Sequence, residues 1–327
     1  MQKIQTPLTT ILSLLVCFGL STTLLAEEPQ ATPNTATTTE PPTNTVAENN
    51  QDYVIPRPQS ARIEALKSSL ERRRLSHEIQ NLEANGTDFL VLNKASMTDS
   101  TQGCVILLHA DNEHPDWPDA IAPLRNALPE FSWCTLSMEV PDIIKRGEPI
   151  KLATQEEDAQ PADSLPNQDE VFARIQATIA QARSENIEQF VLLGYKTGAG
   201  YALSFLQQNQ TAGMALVLID IEPTIGISHY DLAQKIRQVA QPTLDYAVQN
   251  QAADIQFTAW RKQAANQRTQ KNGEYIQLNA TPDRVNGNDS KPLLIQRVRG
   301  FLKQHTSQIT QRKSLPSVNK GLFYTSP

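Results

Sequence analysis

Apolar positions recur along this chain in two rhythms. In SARIEALKSSLERRRLSHEIQNLEANG (60–86), Ile63, Leu66, Leu70, Ile79 and Leu82 sit at near-helical spacing, and Gly86 is a plausible stop. The spacing predicts a helical segment there. Short continuous apolar runs follow: DFLVL (88–92), CVILLHA (104–110), WCTLSMEV (133–140), FVLLG (190–194), MALVLIDI (214–221), PTLDYAV (242–248) and EYIQLNA (274–280). These read as strands. Between them lie amphipathic stretches that read as helices: DAIAPLRNAL (119–128), DEVFARIQATIAQARSEN (169–186), GAGYALSFLQQN (198–209), DIQFTAWRKQAANQR (254–268) and PLLIQRVRGFLKQH (292–305). Strands that are apolar throughout are buried on both faces, as in a parallel sheet flanked by helices. Right-handed crossovers then give a doubly wound, three-layer α/β fold.

Polar segments break this alternation. Residues 27–50 are rich in threonine and proline and hold no aromatic residue. Such a segment buries too little apolar surface to offset the entropy of ordering, so a disordered linker over 27–55 is expected. Another polar stretch runs from Lys145 to Gln168 and reads as a disordered excursion or a lid. The expected layout is a leader over 1–26, the linker, a folded domain over 56–306, and a flexible tail over 307–327.

The leader is read from MQKIQTPLTTILSLLVCFGLSTTLLA. It has one early charge, Lys3, an apolar core from Ile11 to Leu20, and small residues ending at Ala26. This is the pattern of a secretory signal peptide, and it predicts export to the periplasm. The core is shorter than the ~20 residues that span a bilayer, so no transmembrane segment is expected after cleavage. Beyond Cys17, the chain holds Cys104 and Cys134, near the starts of two predicted strands. In an oxidising compartment they either pair or remain two buried thiols.

The net charge is −6, from 35 acidic and 29 basic side chains. That leaves no basic footprint for nucleic acid. The Arg72-Arg73-Arg74 run reads as a solvated helix face, and no motif calls for a cofactor.

Chemistry concentrates at VLLGYKTGAG (191–200). A strand ends, the chain reverses and a helix begins, with Gly194 and Gly198 two residues either side of Lys196. A nucleophile elbow needs small residues at those positions, because strand and helix backbones nearly touch. The apex should carry a hydroxyl or thiol, and here it carries an ammonium group. Lys196 could act only as a Schiff-base nucleophile with a depressed pKa, or it serves structurally and reaches solvent or one of Asp111, Glu113, Asp220 and Glu222. A phosphate-binding loop is excluded, since Tyr195 stands where the lysine of that motif must follow a glycine.

A second concentration is HADNEHPDWP (109–118), which holds His109, His114, Asp111, Glu113 and Asp116. The spacing matches no common zinc motif, so no metal is expected. As a helix entry, Asp116 would cap amides and Pro118 would sit in the first turn. The ligand cleft expected at the strand ends is lined by His109, Ala110, Asp111, Glu113, His114, Tyr195, Lys196 and Thr197.

The run GCVILLHADNEHPDWPDAIAPLRNALPEFSWCTLSMEVP resembles a family of exported proteobacterial proteins, a domain of unknown function (family 3530) classed as α/β-hydrolase-like. FARIQATIA, VLLGYKTGAGYAL, PTLDYA and RVRGFLK extend the resemblance over roughly residues 60–305. It implies the α/β-hydrolase fold and export, and no defined substrate. By analogy His109-Ala110 occupies an oxyanion loop and Lys196 the nucleophile position. Asp245 is the nearest acid, although it lies inside its strand. The loop TPDRVNGNDSKP, where the base would come from, has no histidine, and His305 lies a helix further on.

The triad is therefore degenerate. Losing nucleophile or base alone removes about a million-fold in rate from a serine hydrolase. The expected function is a non-catalytic module binding a small molecule or an envelope protein. The alternative is a hydrolase, esterase-like or metal-assisted, with a displaced site around His109 and His114.

Overall fold

The computed structural model describes residues 58–147, 164–210, 213, 215–248, 252–269, 273–280 and 291–306. The leader at 1–26, the 27–55 linker, the 307–327 tail and residues 148–163 of the polar stretch lie outside the described residues. So do residues 281–290, after the last strand. Among the described residues, no helix is long and apolar enough to cross a membrane.

The chain runs α1 (Gln59–Arg72), β1 (Ile79–Ala84), β2 (Thr87–Lys94), β3 (Gly103–Leu108), α2 (Ile121–Ala127), β4 (Trp133–Met138), α3 (Gln168–Ser184), β5 (Phe190–Tyr195), α4 (Thr197–Gln208), β6 (Ala215–Ile219), α5 (His229–Gln234), β7 (Thr243–Val248), α6 (Ala252–Asn266), β8 (Tyr275–Ala280) and α7 (Lys291–His305). Eight strands form one sheet in the order β1-β2-β4-β3-β5-β6-β7-β8. β2 pairs antiparallel with β1 and with β4. From β4 through β3 to β8 every pairing is parallel. This is the doubly wound α/β-hydrolase arrangement, with the central strands delivering their carboxyl ends to one edge.

Burial explains the continuous apolar runs. In β3, Cys104, Ile106 and Leu108 join the cluster that packs with α3 and α4, whereas Val105 and Leu107 join the one that packs with α2 and α7. β5 divides likewise, with Phe190 and Leu192 on one face and Val191, Leu193 and Tyr195 on the other. Each fully buried Leu, Ile or Val contributes ~1.5–3 kcal/mol relative to exposure, so both faces must be covered. A smaller cluster packs Ile63, Leu66 and Leu70 of α1 onto Leu90 and Leu92 of β2.

The helical reading of 60–86 holds only to Arg72. Arg74 takes a positive φ of 60° and its amide bonds the Glu71 carbonyl, closing the helix. Ile79 and Leu82, spaced like helix neighbours, instead lie in β1. Gly86 is not a helix stop, because Asn85 (φ 50°) and Gly86 (φ 75°) make the two-residue turn joining Ala84 to Thr87. Asn-Gly is the pair that such a turn favours. α5 was not anticipated. Its start is marked by Ser228, whose Oγ accepts the Asp231 amide at 3.1 Å.

Cys104 and Cys134 are directly opposed on β3 and β4, 4.4 Å apart between Cα atoms, and are joined by a disulfide. Of the two readings left open by the sequence, the structure has the pair.

Candidate functional site

Tyr195 ends β5 and Thr197 begins α4, so Lys196 alone makes the reversal, at φ 49° and ψ −118°. That conformation is costly for a residue with a Cβ, by ~1–3 kcal/mol, and persists only where the surroundings impose it. The glycines show what imposes it. A Cβ on Gly194 would lie 2.3 Å from the Cα of Ala199, and one on Gly198 would lie 2.4 Å from the Leu108 carbonyl oxygen. Strand, helix and the end of β3 are in backbone contact. The Lys196 amide donates to the Ile219 carbonyl at 2.9 Å, which ties the apex to β6.

The Lys196 side chain turns to Glu222, with Nζ 3.3 Å from Oε1, and lies 5.7 Å from the centre of the Tyr195 ring. Burial pulls its pKa down, but Glu222, Asp220 and Glu113 outweigh burial and leave it raised. The group is an ammonium ion at neutral pH. A nucleophilic amine needs the opposite shift, so the Schiff-base reading finds no support in the geometry.

The acids around it are perturbed as well. Burial first, then Asp119 and Glu222, raise Glu113 to about 7 against the pull of the Ala110 amide and Lys196. Burial and Glu222 raise Asp220 to about 6. Burial, helped by Asp119 and Glu113, also raises the Tyr195 hydroxyl. Carboxylates with pKa values near neutrality in a cleft mark a candidate functional site.

Two backbone amides matter here, because hydrolases of this fold draw one oxyanion donor from the loop after β3. The Ala110 amide donates to Glu113 Oε2 at 3.0 Å, and the Asp111 amide donates to Thr197 Oγ1 at 2.8 Å. Both are occupied by the protein's own side chains.

The side chains of the other sequence candidates are engaged by partners of their own. His109 is fully buried. Its Nε2 accepts the Val140 amide at 3.0 Å, so its Nδ1 donates to the Ala110 carbonyl at 2.8 Å. Burial presses its pKa to about 3. A neutral imidazole with both nitrogens engaged cannot move a proton for a substrate, so His109 is a brace between β3 and the segment after β4. His114 Nδ1 accepts the Asp116 amide at 3.2 Å, and its ring meets Trp117 edge-on. Asp111 accepts from Ile143 N and Arg146, each at 2.8 Å. Asp116 does not cap α2. It accepts from buried Arg125, at 3.0 Å from Nε and 2.7 Å from Nη2.

Asp245 is fully buried within β7. It accepts from Arg261 Nε at 2.8 Å, from Gln277 at 2.8 Å and from the Tyr275 hydroxyl. An acid so engaged has no capacity left to orient a histidine. His305 stacks on Phe301 at the end of α7. The sequence reading missed Asp119, Arg146 and Arg261. Arg261 carries the clearest retrospective signal, a cation on the helix face that also holds Phe257, Ala264 and Ala265.

Among the described residues, no group of three or more His, Cys, Asp and Glu side chains could hold a metal ion.

The family model described as "Protein of unknown function (DUF3530)" matches residues 9–304. No curated protein matches the chain. Among solved structures, Est1E from Butyrivibrio proteoclasticus is similar at 12% identity and a TM-score of 0.48, covering 70% of this chain and 98% of its own. A dienelactone hydrolase from Anabaena variabilis is similar at 15% identity and a TM-score of 0.49, covering 70% and 100%. A monoacylglycerol lipase from Paleococcus ferrophilus is similar at 10% identity and a TM-score of 0.47, covering 67% and 100%.

Proposed function

The chain belongs to the DUF3530 family of proteins of unknown function, and from that premise we propose that it is a non-catalytic α/β-hydrolase-fold protein that binds a ligand or partner at the carboxyl edge of its sheet. One observation carries this reading: the apex of the elbow holds an ammonium group paired to Glu222. The occupied Ala110 amide and the buried Arg261–Asp245 pair point the same way. Nucleophile, oxyanion donor and acid each face an internal partner.

We also propose that the protein works outside the cytoplasm, in the periplasm. The leader pattern supports this, and so does the Cys104–Cys134 disulfide, a bond that persists in oxidising compartments.

A fluorophosphonate probe and a panel of short-chain esters, each with and without EDTA, test the reading on the secreted protein. No labelling and no turnover are expected. Turnover that vanishes with Lys196→Ala would overturn it.

A second reading, hydrolysis from a displaced site, draws on one observation. The Glu113 carboxyl, near Lys196 and Glu222, is raised by burial to about 7 and could serve as a proton acceptor. It predicts ester turnover that Glu113→Gln abolishes and Lys196→Ala leaves in place. His109 has no part in it.

A further inference from the structure

The Tyr195 ring packs in the apolar cluster shared with α2 and α7, and the residue is only 8% exposed. Its hydroxyl has no hydrogen-bond partner among the described residues. Nor is it one of the partnerless polar atoms sealed from solvent, so the part of Tyr195 left open is its polar tip. A tyrosine buried this far ordinarily finds a partner for that group.

Four carboxyl groups act on the Tyr195 hydroxyl through their charge. Asp119 stands just before α2, Glu113 in the loop after β3, and Asp220 and Glu222 in the loop after β6. Only Glu222 has a cation in contact, the Lys196 ammonium at 3.3 Å. Glu113 Oε2 takes the Ala110 amide, and its Oε1 has no partner among the described residues. Asp119 accepts the Trp117 indole N–H at 3.2 Å. Asp220 forms no ion pair among the described residues. Four carboxyl groups thus meet one ammonium.

Burial, then the neighbouring acids, raise Glu113 to about 7 and Asp220 to about 6. Lys196 opposes the rise at both, as do the Ala110 amide at Glu113 and the Val248 amide at Asp220, while Asp254 of α6 adds to it at Asp220. Asp220 and Glu222 also wall a cavity of about 210 Å³ that Asp254 and Phe257 line from α6. The arginine in that wall, Arg261, is paired with Asp245. A metal ion needs several acids converging on one point, and no three among the described residues do so. A polyatomic cation, whose N–H donors spread over separate acceptors, fits this spacing.

We propose that the elbow receives an organic cation, an ammonium or guanidinium group of the ligand, held by Glu113, Asp220 and the Tyr195 hydroxyl beside the Lys196–Glu222 pair. This rests on the reading of the carboxyl edge as a ligand site and names the chemistry of the guest. The Tyr195 oxygen accepts one N–H, and the carboxylates accept others in charge-assisted bonds.

The full-length protein is titrated calorimetrically with butylamine and with butylguanidine, with 1-butanol as the uncharged control and sodium chloride holding the ionic strength constant. At about pH 8, where both acids are ionised, at least one cation should bind saturably and butanol should not. At about pH 5 both acids hold protons while the alkyl cations keep their charge, so affinity should fall at least about ten-fold. Tyr195→Phe keeps the ring and deletes only the unpartnered oxygen. It and Asp220→Asn should each weaken binding about ten-fold. Should Asp220→Asn fail to fold, Tyr195→Phe and the pH shift decide. Absence of saturable binding by both cations overturns the proposal. So does binding that butanol matches, that is as tight at the lower pH, or that either folded variant leaves unweakened. Ester turnover on the same samples would tell against the non-catalytic reading, whereas a silent titration without turnover tells against the organic cation alone.

Discussion

Lys196 and Arg268 are both cations at the end of a secondary-structure element, and their surroundings are opposite. Lys196 stands where the fold usually places its chemistry, and carboxylates crowd it, with Glu222 in contact. Arg268 stands where this fold has no customary task, and only neutral acceptors meet it. At the elbow the cation is paired with a carboxylate, while at the corner it is held by carbonyl and hydroxyl oxygens alone. Position in the fold is thus a poor guide to how a charge is partnered. The inventory of partners is a better one, in line with the rule that function lives in sites rather than folds.

The largest expected effect concerns a paired cation. Asp245→Ala leaves Arg261 buried without a counter-ion and should cost ~3–5 kcal/mol of unfolding free energy, read from urea denaturation. Arg268→Met, which removes a cation with no carboxylate beside it but leaves the Gln241 and Gly273 carbonyls without their donor, should by contrast cost only ~1–3 kcal/mol. Equal losses in the two variants would erase the contrast.

Gly198→Ala tests the elbow itself. Its Cβ would meet the Leu108 and His109 carbonyl oxygens at 2.4 and 2.5 Å. A loss of ~1–3 kcal/mol or more is expected, as for overpacking elsewhere. Lys196→Gly should act in the other direction. It removes a Cβ from a positive-φ position and should stabilise by roughly 1 kcal/mol, net of the half-exposed ion pair it deletes. A loss of stability there would mean that the Glu222 contact outweighs the backbone strain.

The smallest effect is a pH slope. Glu113 is raised from 4.5 to about 7 and Asp220 from 3.8 to about 6. The folded state therefore holds these protons more tightly than the unfolded chain does. Their stabilisation is complete below the unfolded values and is lost as pH rises through about 6 to 7. Glu78 and Asp111, held low by Arg125 and Arg146 against the opposing effect of burial, contribute with the opposite sign at lower pH. The test is accordingly a difference between two proteins. Urea midpoints for Glu113→Gln should fall less than the parent's between about pH 5 and 8.

Much of the architecture was legible before any coordinates. Continuous apolar runs such as CVILL and FVLLG can be satisfied only by a sheet covered on both sides, and the spacing of Gly194 and Gly198 specified the reversal between them. β1 escaped because Ile79 and Leu82 are as far apart as neighbours on a helix face, and the Asn85-Gly86 turn signal was read as a terminus. The site was less legible. Which acid meets Lys196 depends on the direction a loop takes after β6. Asp245 stood as the nearest candidate acid because its partner, Arg261, lies 16 residues away on another element. His109 looked reactive because nothing in a linear sequence reports that both of its nitrogens are in use.

The contact of Gly198 with the carbonyls at the end of β3 has a wider meaning for this molecule. Sheet and helix are keyed together there by backbone contacts at Gly194 and Gly198 that leave no room for a side chain, so the bend fixes how α4 sits on β3 and β5. Its survival under a side chain unsuited to acyl transfer is what masonry would require, whether or not any reaction was ever run there.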